Sequence, residues 1–382
     1  LRAAAKNYER VSVVCDPGDY SALIGGLPAR PSADRRRALA VKAFGHTAHY
    51  DGQISQWLGA QLDDQPLPPN ISINLDRVQA LRYGENPHQA AGMYVERARA
   101  PSGLAGAELL QGKPLSYNNL LDADAAWSGV GLMGDAPACV IIKHTNPCGA
   151  ARAATPLLAY HKALACDPVS AFGGIIAFNR PLDAETAQAL AGQFCEVLIA
   201  PAVDCGARKV LAARKNLRLM VPSPAIAADF DVRRISGGWL VQQSDRPLAG
   251  RAGFEVVTER APTETEWRDL EFAWAVVAMV RSNAIVLVRD EATVGVGAGQ
   301  MSRVDSARIA ALKASDQGLD LNGAAMASDA FFPFADGLEA AAGAGVGAVI
   351  QPGGSKRDDE VIAAANRLGI AMVMTGRRHF RH

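Results

Sequence analysis

The opening of the chain alternates unevenly between apolar and polar positions. Val11 to Cys15 is a short apolar run closed by Asp16-Pro17-Gly18, which predicts a buried strand ending in a turn. Ser32-Ala33-Asp34 then opens a helical period with apolar positions at Leu39, Val41, Phe44 and Ala48, continuing to about Leu62. One strand and one or two helices cannot bury a core alone, so this block reads as the end of a domain. Asp63-Asp64-Gln65-Pro66-Leu67-Pro68-Pro69 is stiff and polar and marks a boundary. The predicted organisation is a first segment 1–65, a linker 66–74, and a long domain 75–382 with an internal break near 230.

Past the linker, strand and helix patterns alternate. Ala138 to Ile142, Gly173 to Phe178, Val197 to Ala200, Ile285 to Val288, Thr293 to Val296 and Gly347 to Ile350 are short apolar runs, which predict buried strands. Phe272 to Val280 predicts a helix that is apolar almost all round. Such a mixture predicts an α/β or α+β architecture with buried sheets.

Composition narrows the function classes. The 39 basic and 39 acidic side chains balance, so neither a nucleic acid nor an anionic membrane is an expected partner. No apolar stretch approaches the ~20 residues that span a bilayer, and the opening Leu1-Arg2-Ala3-Ala4-Ala5-Lys6-Asn7 lacks the apolar core of a secretory leader. Six cysteines without a C-x-x-C pair point to reduced thiols of a cytoplasmic protein and to no metal site.

Several strand exits carry chemistry. Lys143-His144-Thr145-Asn146-Pro147-Cys148-Gly149 follows a buried strand, and it offers a cation beside a group that titrates near neutral pH. A solvated loop with a chance Lys-His pair is the plain alternative. Cys148 is a weak candidate nucleophile, because no base is marked for it. Gly295-Val296-Gly297-Ala298-Gly299-Gln300-Met301-Ser302-Arg303 matches neither the dinucleotide fingerprint nor a Walker loop. It reads either as an anion-binding turn helped by Arg303 or as a tight strand-to-helix turn. Gln351-Pro352-Gly353-Gly354-Ser355-Lys356 is another glycine-rich strand exit. Arg82-Tyr83-Gly84-Glu85-Asn86-Pro87-His88-Gln89 mixes cation, aromatic and amide groups around a turn. Phe331-Phe332-Pro333-Phe334 is either core or an exposed aromatic platform, and Arg377-Arg378-His379-Phe380-Arg381-His382 would by position be a frayed basic tail. The residues alone lead to an α/β enzyme with anion-friendly loops.

In combination these segments are specific. With Leu115-Ser116-Tyr117-Asn118-Asn119, Ser170-Ala171-Phe172-Gly173-Gly174, Arg281-Ser282-Asn283-Ala284-Ile285 and Ser328-Asp329-Ala330 in their order, the chain closely resembles the bifunctional AICAR transformylase/IMP cyclohydrolase family of purine biosynthesis. The resemblance implies a transformylase domain of two related cytidine-deaminase-like α/β/α subdomains, preceded by the C-terminal part of a methylglyoxal-synthase-like domain. It implies formyl transfer from 10-formyltetrahydrofolate, a co-substrate, to the 5-amino group of AICAR. It also implies no required metal and a homodimer with sites at the interface. By the same resemblance His144 is the general base, Lys143 its partner, and Asn283 a bond to the reacting amine region. Arg82, Tyr83, Gly173, Glu196, Arg303 and Arg378 fall at AICAR contacts, and Phe331, Asp336, Ser355 and Lys356 on the folate side. The terminal residues are then expected to be ordered.

Two departures stand out. Ala275 and Ala278 replace lysines usual in the family. At the front, Lys6 matches a cyclohydrolase residue whose partners would precede residue 1, so the first domain is expected to be incomplete and cyclisation of FAICAR to IMP absent. A deaminase is disfavoured by the lack of a Cys-x-x-Cys pair. An inactive nucleotide-binding or dimerisation fragment is the alternative outcome.

Overall fold

The computed structural model describes residues 1–62, 66–97, 99–224, 229–246 and 250–382. Asp63, Asp64 and Gln65 of the expected boundary lie outside the described residues. Two compact units emerge. One holds Leu1–Val78, Tyr94–Arg99 and Ala228–Ser244; the other holds Gln79–Met93, Ala100–Ala227 and Asp245–His382.

In chain order the elements begin with α1 (Arg2–Lys6), α2 (Tyr20–Ile24) and α3 (Ala33–Leu62). The Ser32 hydroxyl accepts from the N–H of Arg35 at 3.2 Å, so the predicted helix start is present. Val11 to Cys15 differs from expectation. It belongs to no strand, because no ladder partner reaches its backbone among the described residues. Val13 instead packs with Ala5, Ala40 and Ala43 in a small apolar cluster. The buried stripe of α3 runs through Leu39, Ala40 and Ala43, while Val41, Phe44 and Ala48 are exposed, so of the expected apolar positions only Leu39 is buried. Residues 66–74 form neither helix nor strand, and the Ser72 carbonyl accepts from Gln56 Nε2 on α3 at 3.0 Å.

Next come β1 (Leu75–Leu81) and β2 (Ala91–Glu96), paired as a two-stranded sheet. A first series follows: β3 (Glu108–Gln111), α4 (Tyr117–Gly131), β4 (Ala138–Lys143), β5 (Asn146–Arg152), α5 (Pro156–Cys166), β6 (Gly174–Phe178), α6 (Ala184–Leu190), β7 (Cys195–Ile199), α7 (Cys205–Leu211) and β8 (Arg218–Val221). The hairpin β9 (Phe230–Ile235) and β10 (Gly238–Gln243) separates it from a second series. That series is β11 (Glu255–Val256), α8 (Glu264–Val277), β12 (Ile285–Arg289), β13 (Ala292–Gly297), α9 (Arg303–Asp316), β14 (Ala325–Ser328), α10 (Asp336–Gly343), β15 (Ala348–Gln351), α11 (Asp358–Arg367) and β16 (Ala371–Met374).

The two series build one twelve-stranded mixed sheet in the order β11-β16-β15-β14-β12-β13-β5-β4-β6-β7-β8-β3. Read outward from the β13–β5 junction, both halves repeat one plan. Each has an antiparallel hairpin, an antiparallel step to a third strand, two parallel steps, and an antiparallel edge strand. Both sheet faces are buried, which is why the strands read as continuous apolar runs and not as alternating ones. Val140 and Ile142 face a core shared with α4 and α8, while Cys139 and Ile141 face a second core with α5. The helix expected at Phe272 to Val280 is the later part of α8, with Phe272, Ala273, Trp274, Val276 and Val277 all buried. Ala275 is half-buried against the shared core, and Ala278 caps the helix. Among the described residues no helix is long and apolar enough to cross a membrane.

Candidate functional site

The Lys143 motif forms a tight hairpin turn. Lys143, the last residue of β4, pairs with Asn146, the first of β5, leaving His144 and Thr145 as the two turn residues, with φ of 50° and 63°. Two successive left-handed residues match the strand twist but cost energy for non-glycine side chains. The cost is met by α4: Asp122 Oδ1 accepts the N–H of Thr145 at 2.7 Å. Burial raises the Asp122 carboxyl above its ordinary value, while the Thr145 N–H and the charges of His144 and Lys143 work against that rise. Lys143 Nζ donates to the Phe172 carbonyl at 2.9 Å, beside Gly173. Gly173 has φ of 68° and a modest clearance, since an added Cβ would lie 3.2 Å from the Phe194 ring and 3.4 Å from Lys143 Nζ.

Phe194 leads from that turn into a pocket of about 600 Å³ lined by Arg82, Tyr83, Lys113, Glu196, Arg214 and Arg218, among others. Its shape comes from the first turn of α4. Ser116 and Asn119 form a reciprocal capping box, each accepting the other's main-chain N–H at 3.2 Å. Asn119 Nδ2 donates onward to Glu196 Oε2 at 2.8 Å. Asn118 Nδ2 reaches the Glu85 carbonyl at 3.3 Å and so holds the Arg82–Gln89 turn. Arg218 pairs with Glu196 at 3.4 Å. Burial pulls its guanidinium below the ordinary value, Glu196 opposes that, and the charge of Arg82 adds to it. Arg82 stacks on Tyr83, 4.7 Å from the ring centroid, and donates to its hydroxyl at 2.8 Å. The lining therefore carries Arg82, Lys113, Arg214, Lys215 and Arg218 against the single carboxylate of Glu196. Such a cavity suits an anion.

A second cluster gathers at the entry of β12 and the exits of β13 and β14. Asn283 Oδ1 accepts from Arg303 Nη2 at 2.8 Å, and its Nδ2 donates to the Gln300 carbonyl at 2.8 Å. Arg303 also pairs with Asp329, which is fully buried and accepts from the Ser282 hydroxyl as well. The carboxyl-terminal segment closes over this cluster. His379 is 3% exposed, its N–H donates to the Asp329 carbonyl at 3.1 Å, and its Nδ1 lies 2.6 Å from Asp245. Arg381 exchanges bonds with Ser282 at 2.9 and 3.2 Å. The tail is ordered, and Arg378 stacks on Phe380 at 4.6 Å.

The two clusters are joined. Asn146 Oδ1 accepts the N–H of Arg281 at 2.9 Å, so the His144 turn is bonded to the segment that carries Asn283. On the folate side of the expected site, Gln351 Oε1 accepts the N–H of Phe332 at 2.9 Å and ties the Phe331 loop to the Ser355 loop. Phe332 is buried, whereas Phe331, Phe334, Asp336 and Lys356 are exposed. Lys6 ends α1 in the other compact unit and is exposed.

Two expectations change. Gly295 and Gly297 lie within β13, where an added Cβ would come 2.2 Å from the Ala310 carbonyl and 1.9 Å from that of Ser306. They let α9 approach the sheet, so these two glycines are packing positions, which leaves only the turn after β13, with Arg303, for the anion reading. Burial pushes the Cys148 thiol up to about 12, which removes it as a nucleophile.

The chain matches the family model described as the AICARFT/IMPCHase bienzyme over residues 4–313. It belongs to that family. It is 53% identical over 395 residues to the bifunctional purine biosynthesis protein PurH of Acidithiobacillus ferrooxidans, covering 100% of this chain and 74% of that protein. It is 54% identical over 398 residues to the protein of the same name from Dinoroseobacter shibae, covering 100% of this chain and 75% of that one. The chain is thus a bifunctional-type transformylase/cyclohydrolase family enzyme of purine biosynthesis, for which a formyl-tetrahydrofolate co-substrate is implied. Among the described residues no three His, Cys, Asp or Glu side chains converge to hold a metal ion. Reading the sequence missed Asp122 and Arg218, and it named Asn119 and Asp329 only within family motifs, without a role. Only Ser116-x-x-Asn119 left a local signal, as a capping-box spacing; the others acquire partners 22 to 26 residues away in the chain, at Thr145, Glu196 and Arg303.

Proposed function

We propose that this chain transfers the formyl group of 10-formyltetrahydrofolate to the 5-amino group of AICAR, with His144 and Lys143 as its acid–base pair. The observation that carries the reading is the His144 turn itself: an imidazole held in a left-handed turn beside a lysine, with a cation-lined cavity beyond Phe194. The AICAR amine is conjugated with its carboxamide and is a poor nucleophile. As its nitrogen attacks the formyl carbon, His144 takes a proton from it. The carbon–nitrogen bond to the folate N10 then breaks, and Lys143 supplies the proton that N10 needs to leave. Arg82 and Tyr83 suit the AICAR phosphate end, since a guanidinium binds phosphate oxygens in pairs. Glu196, Gly173, Arg303 and Arg378 complete the proposed AICAR contacts, with Asn283 at the amine. Phe331, Asp336, Ser355 and Lys356 take the folate side.

The repeated sheet plan supports two related subdomains, the β3–β8 and β11–β16 series, which the β9–β10 hairpin separates along the chain. The exposed Met301, Phe331, Phe334 and Phe380 support a homodimer, because solvent-facing apolar groups of this size favour burial against a second copy. The decisive test is tetrahydrofolate release from AICAR and 10-formyltetrahydrofolate, run also in reverse from FAICAR. Turnover that falls about 10²- to 10⁴-fold in His144→Ala bears the reading out; unchanged turnover in that variant sinks it.

A further inference from the structure

The two halves of the sheet carry the same device at the same place. In the second half Arg289 and Ala292 close a hairpin whose turn residues, Asp290 and Glu291, have φ of 51° and 54°. Asp269 of α8 accepts both of their N–H groups, at 3.0 and 2.7 Å. In the first half Asp122 of α4 does this for Thr145, and the His144 N–H is a further, weaker donor to it. A helix carboxylate clamping a left-handed hairpin turn is therefore a repeated architectural element. The second copy is closed off by its neighbours, since Lys162 donates to the Asp290 carbonyl at 2.8 Å and Arg152 pairs with Glu291 at 2.9 Å. The first copy carries an imidazole in place of Asp290.

We propose that Asp122 is a positioning residue for formyl transfer, holding His144 in register and placing a fixed negative charge beside it. The proposal rests on the reading of His144 as the proton acceptor. Two physical effects act together. The main-chain bond fixes a turn that non-glycine residues resist, and a displacement of about 1 Å at a reacting group costs on the order of 10²-fold in rate. The carboxylate also stabilises the protonated imidazole that forms as the amine loses its proton. The charged groups acting on Asp122 are His144 and Lys143, both from the turn; Asp124, two residues along α4, is directed at Arg381 instead.

The repeat supplies its own control. Asp122→Asn, Asp122→Ala, Asp269→Asn and His144→Ala would be compared for thermal midpoint, kcat, KM for AICAR and pH–rate profile. Asp122→Asn and Asp269→Asn are expected to lower the midpoint by similar amounts. Only the Asp122 variants are expected to lower kcat, by about tenfold for Asn and about a hundredfold for Ala, with KM moved less than about twofold. The pH–rate profile of Asp122→Asn should differ from that of the parent, because the charge beside the reacting proton is gone. If Asp122→Ala does not fold, the isosteric Asn variant carries the test. Equal kcat losses in the Asp122 and Asp269 variants, or a wild-type kcat and profile in Asp122→Asn beside a dead His144→Ala, would overturn the proposal alone. An active His144→Ala would overturn the reading beneath it and the proposal together.

Discussion

The side-chain oxygen of Asn146 accepts the main-chain N–H of Arg281 at 2.9 Å, across 135 residues of chain. Through it the turn carrying His144 and the segment carrying Asn283 become one rigid piece. Asn146→Ala removes the acceptor and leaves a half-buried N–H unpaired, at a cost of about 1–3 kcal/mol. Urea unfolding should show that loss, and kcat for formyl transfer should fall more than the stability loss alone explains.

Lys143 is anchored by the bond from its Nζ to the Phe172 carbonyl. Lys143→Met keeps the length and apolar bulk of the side chain and deletes the proton. Under its proposed role as proton donor to the departing nitrogen, kcat is expected to drop about 10²- to 10³-fold with a smaller change in KM. Equal proportional changes in kcat and in the KM for folate would assign Lys143 to ground-state binding instead.

Arg82 and Arg218 crowd one cavity, and each charge makes the other less favourable. An anion relieves this repulsion. Inorganic phosphate is expected to compete with AICAR, with inhibition weakening as sodium chloride rises because exposed charges are screened over about 8–10 Å. Arg82→Ala should raise the KM for AICAR about tenfold and abolish most of the phosphate inhibition; a phosphate constant unchanged in that variant would place the anion elsewhere.

Asp167 bonds Ser170 and pairs with Lys313 of α9, linking the helices of the two halves. Burial pushes its carboxyl up, but the bonds from Lys313 and Ser170 outweigh burial and hold it below the ordinary 3.8. A depressed carboxyl stabilises the fold above its unfolded value, and the contribution is lost as pH falls through the folded value. Asp167→Asn should therefore cost about 1–3 kcal/mol at pH 7, and the gap from the parent should close toward pH 3. Denaturant midpoints across that range measure it.

Gly149 sits in β5 where an added Cβ would lie 1.9 Å from the Ala163 carbonyl, as Gly295 does against Ala310 in the second half. Gly149→Ala should destabilise by about 1–3 kcal/mol or more, because a backbone carbonyl in a helix cannot give way as a side chain can. Thermal unfolding of the two alanine variants would show whether the halves tolerate the change alike.

The strands of the large sheet were legible because both faces are buried, which prints long apolar runs into Ala138–Lys143 and Ile285–Arg289. The start of α3 was legible because its Ser32 cap is local. Val11 to Cys15 was misread for the opposite reason: an apolar run states a wish to be buried, not the presence of a strand beside it. The Gly295 stretch carried two meanings, and only the distance to α9 made Gly295 and Gly297 packing positions.

Sequence alone determined the family of this chain and put forward its candidate side chains, since the Lys143-His144 motif and its companions are contiguous words. It also determined which segments are apolar enough to form the sheet. Tertiary structure decided what those side chains can do. Asp122 meets Thr145, Asn119 meets Glu196, and Arg303 meets both Asn283 and Asp329 only because α4, the hairpins and the strand ends converge. A hydrogen bond depends on distance and angle in space, and a linear chain records neither for residues far apart along it.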